Sequence, residues 1–201
     1  MDVYYKWLFF LTGFADEAVI IPLSIVMACL LFGLGWRRGA YAWLISVTAT
    51  LAMIVLLKYV FYVLSGLVDF GIDLRSPSAH TAAGALVYGS MIALILRGHA
   101  AGRKTIIAIS LLGAVFFGIT RLLVFAHTMA EVVIGTVLGV TGALLFARLS
   151  GRMPSDFARL PLALAAVVTI SIFHGHHWKA ENFIRTGADS IRISIDHRLG
   201  H

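Results

Sequence analysis

Two short polar clusters interrupt an otherwise apolar chain: Arg75-Ser76-Pro77-Ser78-Ala79-His80, and the run from Arg121 through His127 to Glu131. Charged residues and histidines at the ends of membrane-spanning segments are costly to keep there, and their presence points to function. Each cluster pairs an arginine with a histidine, which suits a site that holds an anion and does chemistry on it. A phosphate dianion asks for several cationic and backbone donors. Cleaving its ester without a metal asks for a nucleophile and for a general acid at the leaving oxygen. Lys58, Arg75, Ser78, His80, Arg121 and His127 are residues of those kinds. Glu131 lies four residues after His127, so on a helix the two side chains share a face. A carboxylate on one imidazole nitrogen fixes the tautomer and leaves the other nitrogen free to attack.

The elements that must position these residues are apolar helices. Of the 201 residues, 60% are hydrophobic and 13% charged, and the mean hydropathy is +0.92. A soluble domain is nearer half apolar and a quarter charged, so the composition is that of an integral membrane protein. A helix needs about 20 residues to cross roughly 30 Å of hydrocarbon. Apolar runs of that order fall at about 18–36, 41–64, 80–96, 105–126, 130–148 and 160–174, the last being the shortest. The expected fold is therefore all-α, a polytopic bundle of six transmembrane helices over residues 1–175, with a separate tail over 176–201. Trp7 to Phe14 reads as an interfacial lead-in helix ahead of Asp16-Glu17. In the tail, Ile184, Ala188, Ile191 and Ile195 form one helical stripe. That pattern suits either a short amphipathic helix on the membrane surface, anchored by Trp178, or an unstructured tail.

The formal charge of +6 and the pI near 9.8 do not point to nucleic acid, because the basic residues sit in short loops between apolar runs. With six spans, loops one, three and five carry Arg37, Arg38, Arg97, Arg103, Lys104, Arg148, Arg152 and Arg159 against Asp156. The positive-inside rule places those loops in the cytoplasm. Both polar clusters and both termini then face the other side, the periplasm if the membrane is a bacterial inner membrane. Cys29 is the single cysteine and excludes an intramolecular disulfide. The sequence from Met1 to Lys6 has no signal-peptide character, so the first membrane helix is expected to direct insertion.

At this point the residues resemble a known family, the type 2 phosphatidic acid phosphatase superfamily. Its pattern has three parts: Lys, six residues, Arg-Pro; then Pro-Ser-Gly-His; then Ser-Arg, five residues, His, three residues, Asp. Here the second part reads Pro77-Ser78-Ala79-His80, and the third reads Thr120-Arg121, five residues, His127, three residues, Glu131. Of the first part only Lys58 is present; Ser65-Gly66 stands where Arg-Pro would be. The resemblance spans roughly residues 13 to 150. It implies that His127 attacks phosphorus, that Glu131 stands in for the family's aspartate and orients His127, and that His80 protonates the leaving oxygen. It also implies that Lys58, Ser78, Arg121 and the Ala79 amide hold the phosphate oxygens. Arg75, three residues before Ser78, is our own candidate to replace the missing arginine.

The resulting expectation is a membrane lipid phosphatase acting at the non-cytoplasmic face without metal or other cofactor. Its substrate would be a polyprenyl diphosphate, phosphatidic acid, phosphatidylglycerol phosphate or a lipid A phosphate. A lipid phosphotransferase of the same fold and a non-catalytic lipid-binding scaffold are the alternatives. Partners beyond the lipid substrate and the bilayer, and the oligomeric state, have no signature in the chain. The His174, His176, His177 group lacks an acidic partner and reads as an aqueous helix end rather than a metal site. The glycines at 113, 118, 135, 139 and 142 read as sites of close helix packing.

Overall fold

The computed structural model describes residues 3–65, 76–97, 102–154 and 158–176, together with 184, 186, 187 and 189–191. The long elements follow the apolar runs. They are α1 (Val3–Gly13), α2 (Glu17–Gly33), α3 (Arg37–Ser65), α4 (Ala79–Ala83), a π-helical turn (Gly84–Tyr88), α5 (Gly89–Arg97), α6 (Arg103–Leu123), α7 (Met129–Leu149) and α8 (Leu160–Phe173). Among the described residues, five stretches are long and apolar enough to cross a membrane: Val3–Gly33, Arg37–Leu64, Ala79–Leu96, Arg103–Leu123 and Met129–Leu149. The sixth expected span, α8, has 14 residues. At 1.5 Å per residue it reaches only about 21 Å, short of the hydrocarbon thickness.

The helix boundaries have local causes. Asp16 caps α2, its carboxylate accepting the Ala18 N–H at 2.9 Å, and Glu17 follows in the first turn where the helix dipole favours an acid. Behind α2 comes Gly35, whose φ of +87° gives the left-handed turn that releases the chain from the helix. Ser78 caps α4 and Thr128 caps α7. Where the sequence reading expects a lead-in helix over Trp7 to Phe14, the helix is α1, Val3–Gly13, separated from α2 by the short break at residues 14–16 and joined with it in the first apolar stretch.

Packing centres on α7, which lies against α3, α4, the π turn and α6, while α2 bridges α3 and α8. Trp43 on α3 is fully buried, donates its indole N–H to the Ser24 carbonyl at 3.0 Å, and meets Phe146 of α7 edge-on at 5.6 Å. Close approach at α7 depends on small residues. A Cβ at Gly135 would lie 2.5 Å from the Ser78 carbonyl oxygen, and one at Gly139 would meet the Ala82 carbonyl. These two glycines, one turn apart, let α4 lie directly on α7. The outward surfaces of α6, α7 and α8 carry exposed Leu112, Val115, Val133, Val137, Val167 and Val168, the side chains an acyl-chain environment requires.

In the tail, described residues 184, 186, 187 and 189–191 are helical. Ile184 is buried and Ile191 exposed; Ala188, Ile195 and Trp178 lie outside the described residues.

Candidate functional site

The start of α7 organises the site. Thr128 Oγ1 accepts the Glu131 N–H at 3.4 Å, and Glu131 Oε2 accepts the Thr128 N–H at 3.1 Å. This reciprocal capping box satisfies two of the amides that a helix start leaves without partners. The same Oε2 lies 2.8 Å from His127 Nδ1. The other oxygen, Oε1, accepts the Ser76 N–H at 2.6 Å. Glu131 is only 5% exposed, and a buried carboxylate is tolerated when donors surround it in this way. With the carboxylate at Nδ1, that nitrogen carries the imidazole proton, and the Nε2 lone pair is left for chemistry.

The backbone of Glu131 ties in the other cluster. Its carbonyl accepts the Ser78 N–H at 3.1 Å, so Ser76-Pro77-Ser78 is docked on the first turn of α7 by two amides. Ser78 is fully buried. Its Oγ accepts the Thr81 N–H at 3.4 Å and the Thr81 hydroxyl at 2.9 Å, which starts α4. Ala79 is the first residue of α4. Among the described residues the non-glycine with positive φ is Phe125, so alanine at 79 carries no left-handed strain where the family pattern has glycine. His80, partly buried, sits in the same first turn.

Two cations come from other helices. Arg121 lies in the last turn of α6, where the dipole favours a cation, and donates from Nη1 to Thr12 Oγ1 at 3.3 Å. Lys58 lies in α3 and is only 3% exposed; it does not snorkel to solvent. Both charges reach His127. Burial holds the His127 pKa below its usual value; the hydrogen bond that His127 donates to Glu131 opposes this, and the positive charges of Arg121 and Lys58 add to the lowering. The combined effect favours the neutral imidazole at His127.

The structure thus brings His127, Glu131, Ser78, Ala79 and the backbone of His80 to one place, with Arg121 and Lys58 within electrostatic reach. Arg75 lies outside the described residues, one position before Ser76. The sequence reading passed over Thr128, the Ser76 amide and Thr12. Thr128-x-x-Glu131 is a legible capping-box pattern; a backbone amide has no side-chain signature, and Thr12 is remote in sequence. Of the histidine-rich end, His174 Nε2 bonds the Phe10 carbonyl at 2.9 Å, between the rings of Phe10 and Phe14, while His177 lies outside the described residues.

No curated protein and no solved structure matches the chain. A family model described as the PAP2 superfamily matches residues 62–154, a segment that holds Ser78, His80, Arg121, His127 and Glu131 and begins just after Lys58. Over that segment the chain is similar to the PAP2 superfamily, the type 2 phosphatidic acid phosphatases and their relatives.

Proposed function

We propose that the protein is a membrane phosphatase that hydrolyses a lipid phosphomonoester or diphosphate through a phosphohistidine on His127. The observation that carries this reading is the 2.8 Å contact between His127 Nδ1 and a buried Glu131 carboxylate, beside two cationic side chains. Nε2 attacks phosphorus and the P–O bond to the leaving lipid breaks, while His80 gives its proton to the departing oxygen. Water then attacks the phosphohistidine, His80 takes back a proton, and the N–P bond breaks to release inorganic phosphate. Lys58, Arg121 and the Ala79 amide hold the charge that gathers on the equatorial oxygens, and Ser78, whose lone pairs accept from Thr81, has its hydroxyl proton to give them. Arg75 adds the cation that the first motif lacks. No metal is required in this scheme.

The PAP2 superfamily match over residues 62–154 supports phosphatase chemistry, and the long apolar helices support a bilayer-borne substrate. By the positive-inside rule the basic loops face the cytoplasm and the site opens on the opposite face, the periplasmic one in a bacterial inner membrane. Residues 1–175 form the phosphatase domain and 176–201 an appended tail. The deciding experiment is phosphate release from polyprenyl diphosphate, phosphatidic acid, phosphatidylglycerol phosphate and lipid A phosphate, by the wild type and His127→Ala, with chelator present. Release that survives chelation and vanishes in the variant is expected. No release from any of these lipids overturns the reading, and loss of activity with chelator overturns the metal-free scheme.

A further inference from the structure

Helix α1 lies wholly outside the segment by which the family is recognised, yet it touches the site. It packs against α6, and its inward face is made by Leu8 and Thr12, four residues apart and both buried. Thr12, 4% exposed, presents Oγ1 to Arg121 Nη1 at 3.3 Å. Tyr4, Trp7 and Phe10 of α1 are exposed, aromatic side chains suited to the bilayer edge.

The end of α1 is fixed independently of Arg121. A helix terminus leaves carbonyls without partners, and two elements supply them here. The Phe10 carbonyl is bonded by His174 Nε2 at 2.9 Å, and the Phe14 carbonyl accepts the Tyr88 hydroxyl at 2.6 Å. The imidazole of His174 also sits between Phe10 and Phe14, with centroid distances of 4.5 and 4.4 Å. Thr12 is therefore held between two anchored carbonyls. A guanidinium is a planar fork whose donors move together, so fixing one Nη fixes the direction of the others.

We propose that Thr12 is a positioning residue for the phosphate-binding Arg121, setting the plane in which its guanidinium meets the phosphate. The N-terminal helix is thereby part of the phosphate site. This rests on Arg121 being a phosphate ligand, as proposed above. Thr12 acts through Arg121 and touches no reacting atom. Its loss should weaken the hold on phosphate and leave the nucleophile and the general acid in place.

The test compares Thr12→Val, which keeps the shape and removes the acceptor, with Thr12→Ser, which keeps the acceptor. Orthovanadate inhibition, KM, kcat, the pH profile and the thermal midpoint in detergent are measured for each. Thr12→Val should raise the vanadate inhibition constant and lower kcat/KM about three- to tenfold, as expected for a single long hydrogen bond to a charged group, with the pH profile and the midpoint unchanged. Thr12→Ser should behave as wild type. Equal losses in both variants would assign the effect to the threonine methyl and overturn the proposal, as would wild-type vanadate binding in Thr12→Val. Should Thr12→Val fail to fold, Thr12→Ala carries the same comparison without the branched methyl. Arg121→Ala separates the two levels. If it loses vanadate binding while Thr12→Val does not, only the role of Thr12 fails; if it binds vanadate like wild type, the reading of the site itself fails.

Discussion

Glu131 Oε1 accepts the backbone N–H of Ser76 at 2.6 Å, across 55 residues of sequence. Because Oε2 of the same carboxylate serves His127 and the Thr128 amide, one side chain starts a helix, orients an imidazole and fixes the opposite loop. The extra methylene relative to aspartate gives the carboxylate the reach for all three.

Glu131→Gln should therefore lose activity and stability together. The amide cannot accept from three donors with the strength of a carboxylate, and the Nδ1 proton loses its fixed acceptor. A fall in kcat on the order of 10²- to 10⁴-fold is expected by analogy with orienting carboxylates elsewhere, with a loss of about 1 kcal/mol or more from the cap. Phosphate release and detergent melting read the two effects separately; a stable, inactive variant would show that the cap is dispensable.

His80→Ala should discriminate between leaving groups. Alkyl lipid phosphates need a proton on the departing oxygen, and activated aryl phosphates need much less. A loss at least tenfold larger on the lipid than on the aryl ester is expected, measured as kcat/KM on both. Equal losses would remove His80 from the acid role.

The pH dependence follows from His127. Its pKa in the folded protein lies below the ordinary 6.5, chiefly through burial, so the unfolded chain binds the proton more readily. Stability from this group is full above 6.5 and is lost as pH falls from there through the lowered folded value. The thermal midpoint should decline over that acidic window in the wild type and decline less in His127→Gln. The acid limb of kcat/KM should also fall below 6.5, since only neutral imidazole attacks. An acid limb above that value would contradict the burial of a neutral His127.

Gly135→Ala tests the docking of the two helices. The new Cβ would stand 2.5 Å from the Ser78 carbonyl, a backbone atom that cannot swing aside. A destabilisation of about 1–3 kcal/mol is expected from such overpacking, with activity falling because Ser78 and His80 move with the backbone. Wild-type melting and turnover would mean that α4 rides loosely on α7.

Much of this was legible in the chain. The apolar runs at 41–64, 105–126 and 130–148 became α3, α6 and α7 with ends shifted by a few residues, because long apolar runs leave the backbone no hydrogen-bonding choice but a helix. The His127–Glu131 pair was readable because spacing on a helix is a side-chain signal. The π turn at Gly84–Tyr88 was not, since it changes backbone bonding within a uniformly apolar run. Nor was the Ser76 amide, which any residue but proline could provide, or Thr12, whose partner lies 109 positions away. The shortness of α8 was readable: the run at 160–174 is the shortest of the six, and the helix Leu160–Phe173 fills it.

The burial of Lys58 in α3 has a consequence for how the protein divides. Recognition of the family begins at residue 62, but the electrostatic field at His127 is partly made by a residue upstream of that boundary. A fragment trimmed to the recognisable segment would keep both histidines and lose one of the cations that act on His127. The smallest autonomous unit is thus longer than its signature, and grafting or truncation has to respect the extent of the charge as well as the extent of the motif.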